Sequence, residues 1–193
     1  MRLSISNILK IIVVVVVSIL AFDAITTMLF GSLGKTTESS DWNYILTLYV
    51  FLASLGAIAI IAKIKSKLKI FKIFKSVAAI LSATLSFALL GFYYGGITTD
   101  KNPQVAIITA IVLGTLGTVL GFQQNQIIIA VTASIASIAA YGFTFYAGIN
   151  AIAQFSVSKL FGGILWGIIC LIYLGITITN LTTVSSKLKS LRD

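Results

Sequence analysis

The feature that most constrains this chain is a succession of long apolar runs, at about residues 11–30, 42–62, 73–97, 105–122, 127–149 and 160–179. A helix crossing roughly 30 Å of hydrocarbon at 1.5 Å per residue needs about 20 mostly apolar residues, and these runs are of that order. Inside hydrocarbon the backbone polar groups must pair within the protein, which leaves helices or a closed barrel. Barrel strands are short and alternate apolar with polar positions, whereas these runs are continuous. Only 10% of residues are charged against 58% hydrophobic, and that leaves too little polar surface to coat a water-soluble globule. The expectation is an all-α, polytopic transmembrane helical bundle of six spans, forming one membrane domain over residues 1–193.

The first run follows Arg2 and Lys10, as a secretory signal would. It outlasts a signal core of about 7–15 residues, and Phe22 and Asp23 disfavour cleavage near Ala24, so it reads as a retained span. Trp42 and Tyr44 enter the second run as headgroup-level aromatics. Phe92, Tyr93 and Tyr94 close the third, ahead of Gly95, Gly96 and the turn-forming stretch that contains Pro103. The quartet Gln123, Gln124, Asn125, Gln126 reads as a tight turn that makes spans four and five antiparallel neighbours.

Charge placement sets the expected orientation. Arg2 and Lys10, the six lysines between Lys63 and Lys75, and Lys187, Lys189 and Arg192 share one side of a six-span chain. Lys35, Glu38, Asp41, Asp100, Lys101 and Lys159 take the other side and nearly cancel. Positive residues stay cytoplasmic in short loops, so both termini are expected inside, in a plasma (inner) membrane crossed several times. The net charge of +9 is absorbed by this topology, and no recognition module accompanies it, so no nucleic-acid partner is expected.

The residue inventory excludes more chemistry than it supports. The chain has no histidine and one cysteine, Cys170, which rules out an internal disulfide, Cys/His metal clusters, histidine-ligated haem and triads with a histidine base. No cofactor, metal or enzymatic activity is expected.

Three sets of residues stand out. Asp23 is the one ionisable group placed well inside a predicted span, where an acid costs about 2.5–3.5 kcal/mol to insert, with Thr26 and Thr27 three and four residues later on the same helical face. It reads either as a ligand-binding carboxylate or as an interfacial or structural hydrogen-bonding residue. Small residues recur at helical spacing: Ala110, Gly114, Gly117, Thr118 and Gly121 in span four, then Ala130, Ala133, Ser134, Ser137 and Ala140 in span five. Gly163 and Gly167 add a GxxxG arrangement in span six, and all of these point to helix packing, with spans four and five the tightest pair. On a helix, Lys65, Lys69 and Lys72 share one face and Ile64, Leu68, Phe71 and Phe74 another. The Lys63–Lys75 segment therefore reads as a topogenic loop or as a surface-lying helix contacting anionic lipid headgroups.

Two functional classes follow from these features. One is a small-solute or ion transport component, acting as a homo-oligomer or as the membrane subunit of a larger machine; the other is a non-transporting assembly, anchoring or regulatory subunit. The six-span orientation predicts that a cysteine introduced at Glu38 or Asn102 is modified by an impermeant thiol reagent from outside intact cells. One at Ser66 is modified only after lysis, and outside labelling at that position would refute the topology.

Overall fold

The computed structural model describes residues 4–33, 53–62, 69–98, 103–123 and 125–192. Six helices lie among them: α1 (Ile5–Leu33), α2 (residues 53–61), α3 (Lys69–Thr98), α4 (Pro103–Gln123), α5 (Gln126–Ser156) and α6 (Leu160–Arg192). Five of them, α1 and α3 to α6, are long and apolar enough to cross a membrane, which fits a membrane-embedded protein; of α2 only residues 53–61 are described. The expected start of the second span at 42–52 lies outside the described residues, as do Lys63, Lys65 and Lys67.

The helices outrun the apolar stretches, and side-chain chemistry explains why. The segment after residue 179, expected as a tail, continues α6 to Arg192. Thr182, Thr183, Ser186 and Ser190 each turn their hydroxyl onto a carbonyl of the preceding turn, so these polar residues are satisfied without breaking the helix. Lys189 and Arg192 in the last turn suit its negative dipole end. At the other extension, α3 starts at Lys69 rather than Ile73, so Lys69 and Lys72 belong to the third long helix and not to a separate surface helix. Asn125 is more than a turn residue: it caps α5, its side chain accepting from the Ile127 amide at 3.1 Å.

The α5 helix ends in a Schellman motif. Lys159 N–H reaches Gln154 O at 3.0 Å and Ser158 N–H reaches Phe155 O at 3.1 Å, with Ser158 in the left-handed region at φ 60°. That reversal lays α6 antiparallel on α5. Phe143 and Tyr173 stack edge to face at 4.6 Å, Tyr146 and Trp166 at 5.8 Å, and Ser137 donates to Thr177 O at 3.4 Å.

The most buried helix is α5, which carries Ala130, Ala133, Ala136, Ala139 and Ala140 in contact with several neighbours. On one flank runs α1, where the hydroxyls of Ser18 and Ser134 meet at 2.6 Å and a Cβ at Gly142 would strike Leu29. On another lies α2, with a Cβ at Gly56 falling 3.0 Å from Ala140 Cβ.

The expected tight pairing of spans four and five is not what the chain adopts. The glycine face of α4 is turned onto α3, and α4 does not pack along α5. A Cβ at Gly117 would stand 2.6 Å from Ala83 O, one at Gly121 3.0 Å from Ile80 Cα, and one at Gly114 3.2 Å from Ala88 Cβ. From the other side, Gly91 admits the α4 backbone closely enough for Thr109 Oγ1 to donate to Gly91 O at 2.8 Å. Thr84 and Thr118 add a hydroxyl pair at 2.8 Å. A short turn fixes only where two helix ends meet; the face carrying the glycines decides which partner lies alongside. Ser134 consequently pairs with α1 and Ser137 with α6, while Ala133 is buried on the same helix. Gly163 abuts the ring of Phe155, whereas Gly167 has no atom within 4 Å of an added Cβ.

Gly117→Leu should therefore separate α3 from α4 and cost at least the 1–3 kcal/mol typical of overpacking, about the upper end or more because backbone is the obstacle. Ile111→Phe, at a position 63% exposed, should change stability by less than about 0.5 kcal/mol. Thermal unfolding of both variants in detergent compares them, and equal midpoints would refute the assigned pairing.

Candidate functional site

The Asp23 region is built from α1 and α3. Ala21, Ala24, Ile25 and Leu29 form the buried face of α1, and Asp23 falls off that face and is exposed. Tyr94 of α3 reaches it: its hydroxyl stands 3.0 Å from Leu20 O and 3.4 Å from Asp23 Oδ2. The shorter separation suits an O–H···O bond, so the backbone carbonyl is the better acceptor. Thr26 does not serve the carboxylate; its hydroxyl donates to Phe22 O at 2.6 Å and lies 3.1 Å from Asp23 O. Thr27 is exposed. Tyr94, read from sequence only as a belt aromatic, is the side chain that approaches the acid.

Polar and charged side chains converge at the other end of the helices. There α3 begins, α4 ends, α5 begins and α6 ends, and a partly enclosed cavity of about 670 Å³ lies between them and the end of α2. Its size falls within the range of small-molecule sites, about 300–1,000 Å³. One face of α3 supplies Lys72, Lys75, Ser76, Ala79 and Ser82, which recur at the three- and four-residue spacing of a helical stripe. Lys187 and Thr183 come from α6, Thr132, Ala133, Ile128 and Ile129 from α5, and Gly121 from α4.

The electrostatics of this cavity are one-sided. Among the described residues, Lys72, Lys75 and Lys187 line it and no acidic residue does. Asp23, the one acid among the described residues, sits beside Tyr94, which is about 28 Å along α3 from Lys75 at 1.5 Å per residue. The lysines keep contact with solvent, Lys72 and Lys75 being exposed and Lys187 half-buried, so their charges need no protein counter-ion. Ser82 differs: it is 3% exposed, and its hydroxyl has no hydrogen-bond partner in the protein. Its neighbour Ser86 donates to Ser82 O at 2.7 Å, and Thr132 donates to Ile128 O at 2.8 Å.

The remaining polar residues act locally. Thr84, Ser134 and Ser137 pair across helix contacts, Asn150 donates to Tyr146 O at 2.9 Å within its own helix, and Tyr141 faces outward. The bonds of Thr84, Ser134 and Ser137 are helix-to-helix clasps. Of the lysines singled out from sequence, Lys72 lines the cavity, Lys69 opens α3, and Lys65 lies outside the described residues. From the sequence, Lys75 reads only as the end of the basic segment and Lys187 only as an orienting charge. The stripe through 72, 75, 79 and 82 was visible in sequence, but its meeting with α6 depends on tertiary structure.

Fold and site together describe an all-helical chain whose long apolar helices fit a membrane-embedded protein, with a basic cavity at one end. No family model, curated protein or solved structure matches it.

With the carboxylate exposed and weakly held, Asp23→Asn should leave thermal stability unchanged within about 0.5 kcal/mol. Tyr94→Phe should lower it by about 0.5–1.5 kcal/mol through loss of the bond to Leu20 O. Unfolding midpoints in detergent test the pair, and a larger loss for Asp23→Asn than for Tyr94→Phe would contradict this geometry.

Proposed function

We propose that this protein is a non-enzymatic, multi-pass membrane protein that binds a small solute in the basic cavity, as a transport component or as the solute-binding membrane subunit of a transporter. The observation that carries the reading is the cavity itself: about 670 Å³, walled by residues of α2 to α6 and lined by three lysines. Six spans with both termini cytoplasmic, in an inner or plasma membrane, are the topology that goes with it. Clustering of cations supports that orientation. Lys10 lies beside Ile127, and Lys189 and Arg192 lie beside Ile11, so these charges share one end with Lys72, Lys75 and Lys187. By the positive-inside rule this end faces the cytoplasm, and the cavity is a cytoplasmic vestibule.

A second reading, a membrane assembly or regulatory subunit, draws on α6. Gly167 and Gly175 have no atom within 4 Å of an added Cβ, and Ile164, Ile168, Leu171 and Ile178 are exposed around them. Such a face accepts another helix as readily as lipid.

Native mass spectrometry after gentle detergent extraction separates the two. The transport reading expects a small molecule to co-purify and to be lost in Ala79→Trp, which fills the cavity, while the fold is retained by circular dichroism. A stoichiometric protein subunit, with no small molecule in either form, would replace it with the assembly reading.

A further inference from the structure

We infer that the cavity is an anion site for a phosphate group, held by Lys72, Lys75 and Lys187 and by the hydroxyl of Ser82. This rests on the reading of the cavity as a binding site and adds the chemistry of what binds. Two independent observations converge on it. Among the described lining residues the charge is three lysines with no acid, more than a single carboxylate would balance and suited to a doubly or triply charged phosphate. The orphan hydroxyl is the second: Ser82 is 97% buried by its 3% exposure, lines the cavity, and has an Oγ without a protein partner. A buried hydroxyl left unmatched is costly, and an anion's oxygen is an acceptor that satisfies it.

The rest of the lining limits what the phosphate is attached to. Ala59, Ala79, Ile128 and Ile129 form an apolar wall, so the ligand carries an apolar portion beside its charged group. A phosphomonoester lipid headgroup and a soluble phosphate ester share that chemistry. Location at the ends of apolar helices, level with the other basic residues, puts the site within reach of both.

The test uses the whole protein in nanodiscs and reads the unfolding midpoint. In one arm the discs are phosphatidylcholine and inorganic pyrophosphate is titrated; in the other, phosphate-free buffer is kept and phosphatidic acid is introduced into the phosphatidylcholine. A rise in midpoint in the first arm identifies a soluble phosphate, and a rise only in the second identifies a lipid headgroup. Either rise should weaken with added salt. Lys72→Gln and Lys187→Gln should each reduce apparent affinity about tenfold or more, as loss of a hydrogen bond to a charged group does. Lys189→Gln, at the same end but outside the cavity, should leave it within about twofold, which excludes a general surface-charge effect.

Ser82→Ala supplies a signature that a packing role cannot mimic. Without probe its midpoint should equal or exceed the parent's, because an orphan hydroxyl is removed, while the probe-induced rise shrinks. No rise in either arm, or equal losses for Lys72→Gln and Lys189→Gln, would overturn the phosphate assignment. The broader reading fails differently, through a co-purifying molecule that Ala79→Trp does not displace. Loss of that molecule in Ala79→Trp, with neither phosphate arm responding, would leave a solute site of other chemistry.

Discussion

Backbone-to-backbone approach at small residues is the interaction on which this structure depends. Between helices in lipid, apolar side chains gain little by leaving one apolar neighbour for another, so packing is set by how closely two backbones can lie. Two places here achieve that closeness. Along α3 and α4, glycines on both helices bring main chain against main chain, and Thr109 bonds directly to the backbone of Gly91. Around α5, a ring of alanines and serines lets α1, α2 and α6 approach one central helix. The cavity falls between these two units. Helix α4 spends its small face on α3 and not on α5, and Gly121 of α4 and Ile128 and Ile129 of α5 both border the gap.

That division explains what could be read in the sequence and what could not. The helices themselves were legible because their apolar runs are longer than any other use of such residues requires. Their ends were less so: the Thr179–Arg192 stretch looks polar in sequence, yet the hydroxyls of Thr179, Thr182, Thr183, Ser186 and Ser190 are satisfied within one turn of their own helix, and Leu191 is buried. Pairing was the least legible. Small residues at three- and four-residue spacing occur on α3, α4 and α5 alike, and a matching stripe states that a helix packs closely without stating against which neighbour. The expected turn at Gln123, Gln124, Asn125 and Gln126 suggested a partner, but a connection of that length constrains two ends and not two faces.

The candidate sites show the same limit. Asp23 was conspicuous because an acid in an apolar run is costly wherever it faces, and its face was decided by neighbours distant in sequence. Ala24 and Ile25 take the buried side of α1, which turns Asp23 outward toward Tyr94. Lys72 was seen, but as part of a stripe with Lys65 and Lys69. In the folded chain its companions are Lys75 on the same helix and Lys187 on α6, more than a hundred residues away.

Ser82 and Ser86 make the strongest contrast in the molecule. They are one turn apart on the same helix, both buried, and chemically identical, yet Ser86 donates to the carbonyl one turn back while Ser82 does not. The back-bond is open to nearly any serine in a helix, since the carbonyl four residues earlier is always at hand. A serine that leaves it unused, at a cost of about 1–3 kcal/mol for a buried donor, has its hydroxyl turned elsewhere. Ser82 lines the cavity that Lys72, Lys75 and Lys187 also line, so its unsatisfied buried hydroxyl and their positive charge call for the same acceptor. A residue serving only helix packing would have taken the partner that Ser86, Thr84 and Thr132 each take within their own helices.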